Sequence, residues 1–294
     1  MRAWGDRLRR VFGLVARDPL YAPRVLWAVL KDPFEGRERI AERLAEWNES
    51  PAARPRYAVT PDWEARLHHL LGERWPCPAH DEFEPLWKGV VGSLVSGGLA
   101  VGRGSYGGWD DADPALARLV WCATLHRKPE AVVETGVARG ITSRFILEAL
   151  ERNGRGRLWS IDVPPLIEPR YRAETGAAVP AGLRHRWTYL EGSSRKRLPA
   201  LVRQLGQIHL FVHDSMHTTR NLRFELSLAW PALAPGGMAV ADDIERNSAF
   251  AGFAAGEAAS CPTVVGVADD GRANIGIAIR RSDPPRPVRG ITSS

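Results

Sequence analysis

Residues 131–162, "AVVETGVARGITSRFILEALERNGRGRLWSID", place two short apolar runs on either side of an amphipathic run. The pattern predicts a strand over 131–135, a helix over 141–153 and a second strand over 158–162. A strand–helix–strand unit of this kind joins two parallel strands through a right-handed crossover. The stretch therefore predicts a parallel sheet covered by helices.

The same alternation continues toward the carboxyl end of the chain. Strands are predicted over 185–192, 208–214 and 236–244, and helices over 194–205, 218–233 and 248–259, the first of them interrupted by Pro199. Two further strand-like runs, 263–269 and 273–281, are joined by "DDGR" and predict an antiparallel hairpin. We therefore expect an α/β fold with a doubly wound, seven-stranded sheet.

The sheet-forming domain is predicted to cover 115–281. Residues 1–88 are expected to be mainly helical, and they begin with a basic amphipathic stretch that includes Trp4, Leu8 and Val11. Such a helix packs on its own protein or on a second subunit, or lies on a membrane surface. Residues 89–114 are rich in glycine without the spacing of a phosphate loop, which favours a lid or a linker. The tail, 282–294, is expected to be disordered.

Composition narrows the possible partners and compartments. A net charge of +6 permits a nucleic-acid partner, but the basic residues are scattered and no nucleic-acid-binding motif is present, so none is predicted. The three cysteines, Cys77, Cys122 and Cys261, lie far apart, which predicts neither a disulfide framework nor a cysteine zinc site. This usage is typical of the cytoplasm. No apolar run reaches the ~20 residues of a membrane span, and no signal peptide is expected.

Polar residues at the ends of the first three predicted strands form a candidate cofactor site. In "ETGVARG", Glu134 could meet an ammonium group, while Gly136 and Gly140 allow a tight turn. Asp162 ends the second strand and could accept both hydroxyls of a ribose. The third strand ends in "EGSS", where Ser193 could meet an adenine ring. Together these groups favour S-adenosylmethionine, and the further candidate contacts are Thr135, Ser143 and Asp214.

A second group of polar residues begins at "HDSMHT", 213–218. Asp214 ends the fourth strand, and Asp242 and Asp243 end the fifth. Because neighbouring strands lie ~4.8 Å apart, these carboxylates must be neutralised by protons, by an arginine or by a divalent cation such as Mg²⁺. The alternative is that "DDI" begins a loop and caps a helix. His213 points to the opposite face of its strand and is interpreted as structural.

The order of "VVETGVARG", "LWSID", "LFVHDSMHT" and "LAPGGMAVADDI" resembles class I S-adenosylmethionine-dependent methyltransferases, whose fold is Rossmann-like. The spacing of Asp214 and His217 before an acidic pair is similar to the Mg²⁺-dependent macrolide-sugar O-methyltransferases and to the cephalosporin hydroxylase-like group. This resemblance implies that Asp214, Asp242 and Asp243 bind the metal and that His217 is the general base. The acidic pair is Glu-Asp in the sugar enzymes and Asp-Asp here, which makes Asp242 the least secure ligand.

The expected function is methyl transfer from S-adenosylmethionine to a hydroxyl of a small molecule, of the natural-product or sugar class. The alternatives are a hydroxylase-related chemistry on the same fold and a non-catalytic scaffold. For His217 the alternative is a helix-capping or solvated histidine. Four side chains are candidates for the substrate pocket, namely Tyr106, Trp109, Arg139 and Trp187. The N-terminal region is a candidate for homo-oligomer contacts.

Overall fold

The computed structural model describes residues 21–49, 54–106, 111, 113–165 and 169–281. Within these residues the fold is built on one sheet of seven strands. In chain order the strands are β1 (Ala131–Thr135), β2 (Arg157–Asp162), β3 (Trp187–Glu191), β4 (Ile208–His213), β5 (Leu233–Ala241), β6 (Thr263–Val267) and β7 (Asn274–Ile279).

The spatial order of the strands is β3-β2-β1-β4-β5-β7-β6. The five strands β1 to β5 run parallel to one another. Strand β7 pairs antiparallel with both β5 and β6. The predicted doubly wound sheet and its terminal hairpin are confirmed. The order changes direction between β1 and β4, and a doubly wound sheet opens its ligand cleft at such a point, outside the carboxyl ends of the strands.

Helices cover both faces of the sheet. They are α1 (Tyr21–Lys31), α2 (Pro33–Asn48), α3 (Trp63–Leu71), α4 (Pro78–Ser96), α5 (Ala115–Arg127), α6 (Ile141–Arg152), α7 (Pro169–Glu174), α8 (Ser194–Leu205), α9 (Thr219–Ala232) and α10 (Ala249–Ala255). Two short 3₁₀ helices span Ala181–Arg186 and Ile244–Arg246.

Each face of the sheet has its own hydrophobic core. On one face α3 to α6 pack around Trp121 and Phe145, which are fully buried. On the other face α8, α9 and α10 pack around Phe211 and Phe250. Strand β1 is buried along its whole length, because it lies at the centre of the sheet between these two cores.

Several helices and segments differ in their bounds from the prediction. Helix α4 continues to Ser96, so the glycine-rich segment begins inside a helix. Helix α8 runs without interruption across Pro199, contrary to the prediction. A proline within a helix removes one backbone hydrogen bond, and here the apolar side chains of Leu198 and Leu201 pack the helix onto the sheet on both sides of it.

Some predictions fall outside the described residues. These are the basic helix with Trp4, Leu8 and Val11, the pocket residue Trp109, and the disordered tail over 282–294. In the part of the chain that the structure describes, no helix combines the length and the apolar character needed to cross a membrane.

Candidate functional site

A cavity of about 980 Å³ opens at the carboxyl ends of the parallel strands. Each strand from β1 to β5 contributes a residue that follows it to the cavity wall, namely Gly136, Asp162, Ser193, Asp214 and Asp242. Helices α1 and α2 form the opposite wall. The volume is typical of a pocket for a cofactor and a small ligand.

The turn between β1 and α6 depends on its first glycine. Gly136 has a φ of +87°, and a Cβ atom built on it would lie 1.8 Å from the carbonyl oxygen of Asp214. Its amide donates a hydrogen bond to the carbonyl of Ile161 at 2.9 Å. Gly140, at φ +79°, precedes the first residue of α6 and approaches Gly176 in the same way. Gly136 thus brings the turn against the loop that carries Asp214, and Gly140 brings it against Gly176.

Glu134 lies behind the cavity wall rather than on it. Its side chain is fully buried, and Oε2 accepts hydrogen bonds from Ser143 and Ser160, each at 2.6 Å. Oε1 has no hydrogen-bond partner among the described residues. Burial raises the pKa of the Glu134 carboxyl to about 7. Thr135, on the other face of β1, donates to Glu225 at 2.6 Å. The cofactor roles of these residues stay predictions.

Asp162 and Ser193 lie on the cavity wall, at the ends of β2 and β3. The two carboxylate oxygens of Asp162 accept backbone hydrogen bonds from Ala138 at 3.1 Å and from Val163 at 2.7 Å. These bonds fix the carboxylate in place, and each oxygen keeps a lone pair for a ligand hydroxyl. The Ser193 hydroxyl is buried and has no partner within the described part of the chain. Both groups are suited to a nucleoside.

Three aspartates meet at the ends of β4 and β5. The strands pair in parallel with His213 opposite Ala241, which places Asp214 beside Asp242. Burial raises the pKa of Asp214 well above its ordinary value, and the charges of Asp242 and Asp243 raise it further. Burial and the charge of Asp243 do the same to Asp242. The predicted crowding of carboxylates is therefore present, and Asp243 is partly neutralised by Arg246 at 2.8 Å.

His217 points into this cluster. Its Nε2 lies 3.5 Å from Oδ2 of Asp243 and 3.9 Å from Oδ1 of Asp214, and its side chain is 6% exposed. Burial lowers the pKa of the imidazole well below its ordinary value, with the charges of His213 and Arg246 adding to the effect. The imidazole is therefore neutral near pH 7 and can accept a proton.

His217 lies just before a helix, not inside it. Helix α9 begins at Thr219, and Thr218 is its N-cap, with its hydroxyl accepting a hydrogen bond from the amide of Asn221 at 3.0 Å. His217 therefore precedes the cap. The alternatives of a capping or a solvated histidine do not agree with this position or with its burial.

His213 lies inside the protein, as its position on the strand predicted. Its Nδ1 contacts Oε2 of Glu225 at 2.6 Å, and both side chains are fully buried. The other oxygen of Glu225 accepts hydrogen bonds from Ser215 and Asn221, each at 2.9 Å. This network fastens the loop between β4 and α9, which carries Asp214 and His217. Glu225 is not part of the predicted site, because it lies seven residues beyond the end of the motif.

Helix α2 was also not singled out as part of the site. Glu35, Glu38 and Glu42 lie along one face of it and contact the starts of α8 and α9. Glu35 accepts a hydrogen bond from the amide of Ser193 at 2.8 Å, and Glu42 accepts one from Thr218 at 2.6 Å. The spacing of three and four residues between these glutamates was the available signal.

The predicted substrate-pocket residues have different surroundings. Arg139 is buried and binds Asp111 at 2.9 Å and Glu174 at 2.8 Å, and it also donates to the carbonyls of Ala100 and Ser105. It therefore fastens the glycine-rich segment to the sheet domain. Tyr106 lies on the cavity wall and donates to the carbonyl of Tyr171. Trp187 lines a separate, smaller cavity of about 280 Å³.

Comparison with known proteins agrees with this geometry. Residues 133–244 match the family described as "Methyltransferase domain". The structure is similar to that of a Klebsiella pneumoniae protein provisionally described as an O-methyltransferase, with a TM-score of 0.50 and 15% identity, covering 76% of this chain and 99% of that one. A search of the curated proteins returned no match.

Two further solved structures have lower TM-scores. The Bacillus cereus O-methyltransferase in complex with S-adenosylhomocysteine gives 0.48 at 12% identity, with 75% of this chain and 99% of that chain covered. The TomG O-methyltransferase of Streptomyces achromogenes, in complex with S-adenosylmethionine, gives 0.47 at 16% identity, with 67% and 89% covered. At such identities a structural likeness shows the fold alone. The fold is the class I methyltransferase fold expected from the sequence, and the family match covers 133–244.

Proposed function

Because residues 133–244 match a methyltransferase domain of the class I, S-adenosylmethionine-dependent type, we propose that this chain transfers a methyl group to a hydroxyl of a small molecule, with a divalent cation at the acceptor site. The observation that carries the proposal is the arrangement around the 980 Å³ cavity. Groups suited to a nucleoside lie at the ends of β2 and β3, and a neutral histidine beside three aspartates lies at the ends of β4 and β5.

The cofactor side of the cavity would hold S-adenosylmethionine. Asp162 would accept the ribose hydroxyls, Ser193 would contact the adenine, and the backbone at Gly136 would lie against the amino-acid portion. Glu134, with one oxygen unpartnered, would provide the negative charge behind that portion. These assignments place the sulfonium methyl near the ends of β1 and β4.

Methyl transfer is an in-line displacement. The acceptor oxygen attacks the methyl carbon, the bond between carbon and sulfur breaks, and the electron pair stays on sulfur as S-adenosylhomocysteine leaves. The hydroxyl proton would go to Nε2 of His217, whose lowered pKa keeps the imidazole neutral before the reaction. His213 and Glu225 would position the loop that holds His217.

The acidic cluster suits a hard divalent cation such as Mg²⁺ in donor type, since all three side chains offer oxygen. Its raised carboxyl pKa values show that the three negative charges are not fully compensated by the protein. Asp214, Asp242 and Asp243 would hold the ion, and Asp243 would have to leave Arg246 to do so. A bound ion would lower the pKa of the acceptor hydroxyl and fix its position.

The experiment is calorimetric titration of the full chain with S-adenosylhomocysteine, followed by Mg²⁺. We expect nucleoside binding, and then Mg²⁺ binding that Asp243→Asn loses and Arg246→Gln strengthens. Asp81→Asn is the matched control, because Asp81 is an exposed acid on α4. A protein that binds the nucleoside but shows no Mg²⁺ signal would contradict the cation. A protein that binds neither ligand would contradict the proposed methyltransferase activity and favour a non-catalytic scaffold.

The acceptor is proposed to be a natural product or a sugar with neighbouring hydroxyls, since two adjacent oxygens can bind one cation together. A screen of vicinal diols with radiolabelled cofactor tests this. Hydroxylation is the second candidate, and it would need an additional oxidant. A methylated product formed without consumption of oxygen would support methyl transfer over hydroxylation.

We further propose that the N-terminal region mediates association of two copies of the chain. Helices α1 and α2 expose large apolar side chains, namely Leu26, Trp27, Leu30, Phe34, Ile40 and Leu44. Light scattering of the full chain, compared with a Trp27→Glu variant, measures the association. A monomer at all concentrations would contradict it.

A further inference from the structure

Four potential metal ligands from three helical segments meet away from the cavity. They are His68 on α3, Cys77 immediately before α4, and Cys122 and His126 on α5. The ligand atoms of His68, Cys77 and Cys122 all lie within 4.8 Å of one another. Nε2 of His126 lies 3.2 Å from Sγ of Cys77, and Nε2 of His68 lies 3.3 Å from the same sulfur.

Both histidine rings direct Nε2 toward the sulfur of Cys77. Nδ1 of His68 lies 2.7 Å from the carbonyl oxygen of Glu64, which can only accept, so Nδ1 carries the proton and Nε2 keeps its lone pair. Nδ1 of His126 lies 3.6 Å from a carboxylate oxygen of Glu73, so an acid lies beside the far side of this ring. Histidines that bind metals are oriented by the same kind of outer contact.

Two imidazole nitrogens and two thiols converge on one place. Nε2 of both histidines faces the sulfur of Cys77, and Sγ of Cys122 lies within 4.8 Å of that sulfur. The site is also buried: His68, Cys77 and Cys122 are each 2% exposed, which leaves little room for water. Buried polar atoms need partners, and one cation bound to all four side chains would provide a partner for each of them.

We propose that His68, Cys77, Cys122 and His126 bind one Zn²⁺ ion in a structural, tetrahedral site. Two thiolates and two imidazoles are the ligand set of many structural zinc sites, and four protein ligands leave no position for a substrate. Bonds of about 2.3 Å to sulfur and about 2.1 Å to nitrogen place tetrahedral ligands roughly 3.6 Å apart. The observed separations of 3.2 and 3.3 Å lie close to that value.

The helices are arranged to hold such an ion. Cys122 and His126 are four residues apart on α5 and so lie on one face of that helix. His68 and Cys77 are nine residues apart and enclose the turn between α3 and α4. The ion would therefore bind the two helices that precede the sheet domain to the first helix of that domain.

The site is separate from the proposed methyl-transfer site. Helix α5 ends at Arg127, just before β1 begins at Ala131, so the cluster lies toward the amino end of β1. The cavity lies at the carboxyl ends of the strands. The zinc proposal therefore does not depend on the proposed function.

The first test is the metal content of the full chain, purified under reducing conditions and measured by mass spectrometry. We expect about one zinc per chain, as in other four-ligand structural sites. Cys77→Ser combined with Cys122→Ser should lose the zinc. Cys261→Ser is the matched control and should keep it, because that cysteine is outside the cluster. Asp243→Asn should also keep it, which separates this ion from a cation in the acidic cluster.

A second measurement covers the case in which the double variant fails to fold. Wild-type protein stripped of metal is titrated with Co²⁺, whose visible absorption reports tetrahedral geometry and thiolate ligands. Intense tetrahedral bands that Zn²⁺ abolishes support the site. Wild-type protein that contains no zinc and gives no cobalt bands while folded overturns it, as does a disulfide between Cys77 and Cys122 in freshly purified protein.

Discussion

His217 shows at the scale of one residue how burial decides chemistry. A histidine in water is partly protonated near neutral pH, whereas here burial lowers the pKa of the ring well below that range. The same burial raises the pKa values of Asp214 and Asp242. The imidazole is thereby kept neutral, while the carboxyl groups beside it resist carrying three charges together.

The first prediction concerns His217 as proton acceptor. His217→Ala is expected to lower kcat by about 10²–10⁴-fold, which is the usual contribution of a positioned general base. Binding of S-adenosylhomocysteine should be unchanged, because the cofactor groups lie at the ends of β1 to β3. Single-turnover kinetics and calorimetry measure the two quantities. Wild-type kcat in the variant would rule out the assigned role, and His185→Ala, at an exposed histidine, is the control.

The second prediction concerns the buried carboxyl of Glu134. Its folded-state pKa of about 7 is higher than the ordinary value of 4.5, so the folded state holds the proton more tightly than the unfolded chain. Its contribution to stability is therefore fully present below pH 4.5 and is lost as pH rises through about 7. The loss is at most about 3 kcal/mol.

Glu134→Gln should remove this pH dependence, because the amide does not titrate. Urea unfolding of both proteins between pH 5 and about 8 measures it. We expect the variant to gain stability relative to wild type as the pH rises, and to bind S-adenosylmethionine more weakly. Parallel stability curves for the two proteins would show that Glu134 keeps an ordinary pKa.

At the scale of elements, α2 is the helix that joins the N-terminal region to the cofactor cavity. Its glutamates contact Arg195 and Arg220, at the starts of α8 and α9, and its cap residue Asp32 binds Lys196. Charge attraction therefore places this helix across the ends of the strands. Two of its exposed apolar residues, Ile40 and Leu44, also line the cavity.

The third prediction tests this docking. Glu42→Ala removes the acceptor for Thr218 and Arg220, and we expect it to lower the free energy of unfolding by about 1–3 kcal/mol. Because α2 lines the cavity in which we propose that the cofactor binds, the Kd for S-adenosylhomocysteine should rise by about tenfold, which corresponds to about 1.4 kcal/mol. Arg37→Ala, an exposed change on the same helix, should alter neither quantity. An unchanged Kd in Glu42→Ala would mean that α2 does not contribute to binding.

At the scale of the whole molecule, the sheet separates two kinds of chemistry. Carboxylate oxygens and a neutral imidazole lie at the carboxyl ends of the strands. Two thiols and two imidazoles lie near the amino end of β1. The first set is suited to a hard cation and the second to zinc. The glycine-rich segment reaches the cavity and is fastened by Arg139, while its role as a lid or a linker stays a prediction.

The sequence by itself determined the sheet and the order of its polar residues. Alternating apolar runs give strands and helices because the two elements repeat with different periods, and residues at the ends of parallel strands must meet at one edge. The predicted fold and the clustering of Asp214, Asp242 and Asp243 follow from that rule. The sequence alone could not place Glu134 behind the cavity wall, because that position depends on its contacts with Ser143 and Ser160.

Only the tertiary structure decided how distant segments meet. The prediction against a cysteine zinc site rested on spacing along the chain, and Cys77 and Cys122 are far apart in sequence. Helix packing brings them together with His68 and His126, because side chains on adjacent helices become neighbours whatever their separation in the chain. In the same way α2 reaches Ser193 across more than one hundred residues. Local patterns fix local elements, whereas contacts between elements depend on the shape of the folded core.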